Sequence, residues 1–370
     1  MILGVSAEQE ELRASVRRFL ADRAPMSRVR ELMDSGETDW AVWEQAGTQL
    51  GLQGLAIPES YGGAGFSFAE QAVVLEEFGA ALYGGPYLAS AVLAATALLA
   101  SPDEGARRGL LPDIASGQTV ATLAFAEDGG SWDPAGIRLS ATKDGEAWRL
   151  DGHKSFVLDG ATAGLILVAA TTDAGLSLFA VEGDEDGLSR AALPTLDQTR
   201  QLARLEFAGV TGRLIGSPGD GAAALDRALD VAAVALAAEQ LGGAQRALDM
   251  AVEYAKVRRQ FDRPIGSFQA IKHRCADLLL EVESLRSAVG YAAAAVAEDS
   301  AEIPVLASLV KAYASETYFH VAAENIQIHG GIGFTWEHDA HLYFKRAKAS
   351  ELFLGDGAYH RERLANRIGL

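Results

Sequence analysis

The chain has 370 residues, enough for two or three domains with a large buried interior, since 49% of them are hydrophobic. Its formal net charge of −18 argues against a nucleic-acid backbone or an anionic membrane as main partner, because both need a positive face. A single cysteine, Cys275, excludes an intramolecular disulfide and fits a reducing compartment.

The opening "MILGVSAEQEELRASVRRFL" has no basic segment followed by an apolar run, so no secretory signal is expected. "YLASAVLAATALLA", the longest apolar stretch, is too short to span a bilayer. These features predict a soluble, cytoplasmic protein.

Residues 6–34 read as helix, with Ser6 as N-cap and Glu8 and Gln9 in the first turn. A second helix is expected over Trp40–Leu50. "GLQGLAIPESYGGAGFS" follows as a turn-rich connector. Helical spacing resumes in "SFAEQAVVLEEFGAAL" and "YLASAVLAATALLA".

The character changes near Gln118. Six short apolar runs, from "TVATLAFAED" to "RLEFAGVTG", are separated by Gly, Asp or Thr, as β-strands and tight turns are. "KDGEAW" and "LDGHK" both carry the Asp-Gly hairpin signal. A small antiparallel barrel or sandwich is expected.

From Asp220 the helical period returns. One long helix should run to about Phe261, with Gly242-Gly243 as the place for a bend. Two more should follow, over "IKHRCADLLLEVESLRSAVGYAAAAVAE" and "PVLASLVKAYASETYFHVAAENIQIHGG", with Pro304 in a first turn. The predicted fold class is α+β in three domains. These are N-terminal helices (1–117), a central β-domain (118–218) and a C-terminal four-helix bundle (219–370).

"IQIHGGIGFT" is glycine-rich but follows a helix, so it is not a dinucleotide fingerprint, which needs a preceding strand. Gly330, Gly331 and Gly333 either cap and turn that helix or let backbone NH groups approach an anion or a ring. "YAKVRRQFDRPIGSFQAIKH" gathers Arg258, Arg259 and Arg263 beside Phe261 and Phe268. This is either a solvated basic helix end or a phosphate site with rings for stacking. His329, His338 and His341 lack the spacing of a metal set, and Cys275 lies in a packing pattern. No G-x-S-x-G elbow is present.

Four segments in order resemble the acyl-CoA dehydrogenase family over nearly the whole chain. They are "GLQGLAIPESYGGAGFSFAEQAVVLEEFG", "EAWRLDGHKSFVLDGATAG", "YAKVRRQFDRPIGSFQAIKHRCADL" and "IQIHGGIGFTWEHDAHLYFKRAK". The resemblance implies FAD, an acyl-CoA substrate and α,β-desaturation. In that chemistry a glutamate takes the α-proton, and an electron-transfer flavoprotein usually accepts the electrons. It also implies a flavin site built by two subunits. The half serving a neighbour matches at Arg258, Gln260, Phe261, Phe268, Gln269, Gln327, Gly330 and Gly331, with Asp262 in place of a glycine.

The half serving the chain itself departs from the pattern. "TEP-x-x-GSD" reads "AEDGGSWD", with Ala126 and Asp128. "WITNG" reads "FVLDG", with Phe156 and Leu158. The usual glutamate position holds Leu354, and the alternative position on the long helix holds Ala232, followed by Ala233. Glu239, Glu351 and Asp356 are the nearby acids, Asp356 being the weak catalytic candidate. The pattern resembles the base-lacking subunit of bacterial α2β2 enzymes acting on steroid side-chain CoA esters. Its partner would be a homologous subunit carrying the glutamate. The alternatives are a self-sufficient homo-oligomer using Asp356, and a non-catalytic CoA-ester binding or scaffold protein.

Overall fold

The computed structural model describes residues 6–145 and 147–370. The first five residues, on which the expectation about a secretory signal partly rests, and Glu146, in the first hairpin signal, lie outside them.

In chain order the helices are α1 (Ala7–Arg23), α2 (Met26–Ser35), α3 (Trp40–Leu50), α4 (Phe68–Ala80), α5 (Ala95–Ala100) and α6 (Glu104–Ala115). Strands β1 (Ala121–Ala124), β2 (Ser140–Asp144), β3 (Ala147–Leu158), β4 (Leu165–Thr172), β5 (Gly175–Glu182), β6 (Leu188–Ala192) and β7 (Leu202–Ile215) follow. Then come α7 (Gly221–Val257), a two-strand hairpin β8 (Arg259–Gln260) and β9 (Arg263–Pro264), α8 (Gln269–Ala297), α9 (Ile303–His329), α10 (Ala340–Leu352) and α11 (Gly357–Arg367). The fold is α+β, in the predicted order of helices, sheet, helices. Among the described residues no helix is long and apolar enough to cross a membrane.

Local chemistry sets the boundaries. Ser6 and Gln9 form a reciprocal capping box at the start of α1. The expected single helix over 6–34 is two, because Pro25 cannot continue α1. Gly51 ends α3 in a left-handed cap.

Two compact units divide the chain. One comprises residues up to Asp34, Phe68–Tyr83 and Ala233–Leu370; the other comprises Ser35–Ser67 and Gly84–Ala232.

The second unit is organised by the sheet, whose order is β1-β4-β2-β3-β7-β5, with β5 also paired to β4 and β6 to β7. The β4–β5 ladder returns the path to β4, which closes a barrel. Most pairings are antiparallel, as expected. β1 and β2 instead run parallel to β4, along one of its edges.

"LDGHK" is not a turn. It lies inside β3, where the register shifts at Leu150/Asp151, and Gly152 takes φ +135° beside Leu139. The Asp-Gly pair there marks a bulge. The wide helical turn Leu88–Ala94 packs on β1, and Ser90 Oγ accepts from Ala121 N at 3.0 Å. This segment is apolar on every side because it is buried on every side.

In the first unit α9 packs against α8, α10 and α11, and α4 packs against α1 and α8. α7 runs unbroken through Gly242-Gly243. A Cβ on Gly242 would sit 1.7 Å from the Glu76 carbonyl oxygen, and one on Gly243 2.4 Å from the Tyr318 ring. These glycines permit close helix packing and do not bend the helix.

Candidate functional site

The sequence-predicted residues gather at one end of the first unit. α7 ends at Val257, and the chain turns through β8 and β9 into α8. Phe261 and Asp262, at the hairpin tip, have φ +52° and +60°. A two-residue hairpin of the left-handed type needs both, and Asp tolerates that region better than most residues. This explains how Asp262 stands where a glycine is usual. Arg259 donates to the Asp262 carbonyl at 2.5 Å and closes the loop.

The glycine segment joins this hairpin through packing. Ile328 packs with Ala251 and Ala255 of α7, Ile265 of the turn and Ile271 of α8. His329 stacks on Tyr254 at 4.3 Å. Gly330 follows as the α9 cap, with φ +65° and ψ −146°, a conformation for glycine. A Cβ added to Gly330 or Gly331 would meet nothing within 4 Å, so both backbones are open to an approaching group. Burial pushes the His329 imidazole below its usual range, with the neighbouring His338 acting the same way.

Arg258, Gln260, Gln269 and Gln327 are exposed. The side chains of Arg258, Gln260 and Gln327 have no partner among the described residues. Phe261 is 86% exposed. Phe268 is half-buried, edge-on to Phe261 at 6.1 Å, and Arg263 lies 4.0 Å over its ring. Phe261 is therefore the freer ring for stacking. A free guanidinium, two free amides, open glycine backbone and an exposed ring are groups that could hold a phosphate-bearing aromatic molecule.

The acids near the usual base position are committed elsewhere. Asp356 Oδ1 accepts from Tyr359 N at 2.8 Å as the N-cap of α11. Glu239 meets Arg346 at 2.6 Å in the interior. Glu351 takes Lys348 at 3.0 Å on both oxygens. Leu354 itself is 4% exposed and has φ +63°.

The β-domain positions lie in the second unit. Ala126 and Leu158 are buried, and the Leu158 carbonyl accepts from Thr122 Oγ1 at 2.5 Å. Asp128 gathers Ser155, Arg204 and His153 around its carboxylate. The Arg204 and Ser155 hydrogen bonds hold that carboxyl below its usual range. Next to it, burial pulls the Lys154 ammonium down to about 8, against the opposing effect of the hydrogen bond it donates to Glu127. Trp132 lies between Phe125 at 5.8 Å and Phe156 at 6.2 Å.

Three contributors escaped the sequence reading. The Asp128–Arg204 pair joins residues 76 positions apart, which leaves no local signal. Lys311 and His360 surround the Leu354 turn, and a lysine inside the apolar run "LASLVKAYAS" was the available sign of a buried, partnered cation. Among the described residues no group of three or more His, Cys, Asp or Glu could hold a metal ion.

A groove of about 560 Å³ lies among α1, α4, α7 and α10 of the first unit. Among its carboxylates Glu77 pairs with Arg13 and Arg17, Glu76 with Arg13 and Arg286, and Asp339 with Arg30, while Asp249 accepts from Gln245 Nε2.

Comparison with known proteins covers the whole chain. Profiles of the acyl-CoA dehydrogenase N-terminal, middle and C-terminal domains match residues 6–118, 122–210 and 219–369. The acyl-CoA dehydrogenase IpdE2 of Mycobacterium tuberculosis is 37% identical over 94% of this chain and 93% of its own. Among solved structures, the ChsE4-ChsE5 complex from Mycobacterium tuberculosis superposes with a TM-score of 0.91 at 31% identity, covering 100% of this chain and 99% of that one. A variant of the Tcur3481-Tcur3483 steroid ACAD gives 0.89 at 34% identity, over 99% and 98%.

Proposed function

The chain belongs to the acyl-CoA dehydrogenase family, and we propose that it is the base-lacking subunit of a heteromeric member. A homologous subunit carries the glutamate. This chain completes that subunit's FAD site with Arg258, Gln260, Phe261, Phe268, Gln269, Gln327, Gly330 and Gly331. FAD, when bound, supplies the acceptor for the substrate's β-hydride.

One asymmetry carries this reading. Arg258, Gln260, Phe261, Gln327, Gly330 and Gly331 are exposed, and the side chains of Arg258, Gln260 and Gln327 are uncommitted, while Asp356, Glu239 and Glu351 are each tied to another group. In this assignment Arg258 pairs with the pyrophosphate, the Gly330-Gly331 backbone lets it approach, and Phe261 flanks a ring. Base catalysis contributes about 10²–10⁴-fold, so a site with leucine at the base position does not turn over by itself. The two-chain complexes among the similar structures, one of them a steroid ACAD, support a partner subunit and a bulky CoA ester as substrate class. An electron-transfer flavoprotein is the proposed acceptor. A self-sufficient enzyme using Asp356 draws no support, because that carboxylate caps α11.

Co-expression with a homologous chain bearing the glutamate tests the proposal. Desaturation of an acyl-CoA with an artificial acceptor is expected from the co-purified pair. Turnover by this chain alone would refute it.

A further inference from the structure

The turn between α10 and α11 is held more firmly than a leucine there requires. Leu354 is left-handed at φ +63°, a region that bulky side chains disfavour. Gly355 follows at φ +103°, and a Cβ there would lie 2.1 Å from the Tyr359 ring.

Two buried side chains bind the carbonyls around this residue. Lys311 of α9 is 0% exposed. Its Nζ donates to Glu351 O at 3.1 Å, to Gly355 O at 2.8 Å and to Ser315 Oγ at 3.0 Å. His360 of α11 is also buried, and its Nε2 donates to Leu354 O at 3.0 Å. Gly355 N closes onto Leu352 O at 3.2 Å. A buried ammonium is unfavourable unless oxygens surround it, so Lys311 and the turn depend on each other.

We propose that Lys311 and His360 are positioning residues: they clamp the 351–355 turn and hold residue 354 as a fixed mount for whatever side chain stands there. The importance of position 354 rests on the functional reading above, in which the chain keeps the mount of a base it no longer carries. The clamp itself is a property of this chain alone. It can be tested without flavin or partner, so its failure is distinguishable from failure of that reading.

The test uses thiol accessibility in the full chain with Cys275→Ser. Leu354→Cys should react with a maleimide at least about tenfold more slowly than Leu352→Cys, whose native side chain is half exposed. Adding Lys311→Met should raise the rate at 354 to that at 352. Ala347→Cys, a buried position on α10, should stay slow in both backgrounds. Release confined to 354 identifies positioning, because a general loosening would expose 347 as well. Unchanged protection at 354, or equal release at 354 and 347, would overturn the proposal. If Lys311→Met does not fold, His360→Phe removes the donor to Leu354 O, and the same comparison decides.

Discussion

Arg346 of α10 and Glu239 of α7 form an ion pair at 2.6 Å with both side chains almost sealed from water. Removing one partner of such a pair strands the other charge, which typically costs about 3–5 kcal/mol. Glu239→Ala should therefore lower the urea midpoint sharply. A base role for Glu239 would instead predict lost turnover with stability intact.

Asp356 is separable in the same way. Asp356→Ala removes the α11 cap and should cost about 1 kcal/mol, whereas Asp356→Asn keeps a capping oxygen and should be nearly neutral. Turnover of the assembled enzyme should be unchanged by Asp356→Asn. A catalytic base would lose about 10²–10⁴-fold on this substitution.

His360 gives the molecule a signed pH dependence. Burial, reinforced by the Lys311 charge, holds its imidazole down to about 3 in the folded chain. The unfolded chain binds that proton near pH 6.5. Between these values the unfolded state binds more protons, so this group's contribution is present above pH 6.5 and is lost as pH falls. The loss is about 1.4 kcal/mol per pH unit. Unfolding free energies at pH 7, 6 and 5 should fall with a slope that steepens toward that limit below pH 6, and His360→Phe should remove this component.

The glycines separate packing from permissiveness. Gly242→Ala drives a methyl into the Glu76 carbonyl and should destabilise by about 1–3 kcal/mol or more. Gly290, in the exposed interior of α8, has nothing within 4 Å of an added Cβ. Gly290→Ala should stabilise by about 0.5–1 kcal/mol. Thermal midpoints of the two variants check both signs.

Much of this architecture is legible in the sequence where local chemistry decides. Ser6 and Gln9 announce α1, Trp40–Leu50 forms the helix expected, and Pro304 opens α9. β6 escaped because "LSRAA" is an exposed edge with no apolar alternation to reveal it. "LDGHK" misled because an Asp-Gly pair serves a bulge as well as a turn. At the candidate site, the exposed hairpin and glycine turn were readable from residue type and resemblance. The commitments of Glu239 and Lys311 were not, since their partners lie 107 and 44 residues away in the chain.

The central claim is the division of the flavin site between two unlike chains, and FAD counted per chain tests it most directly. Flavin absorbance against protein concentration should give no stoichiometric FAD for the isolated chain. It should give one FAD per pair with the glutamate-bearing homologue, reduced by Arg258→Met in this chain. One FAD per chain in the isolated protein would contradict the account.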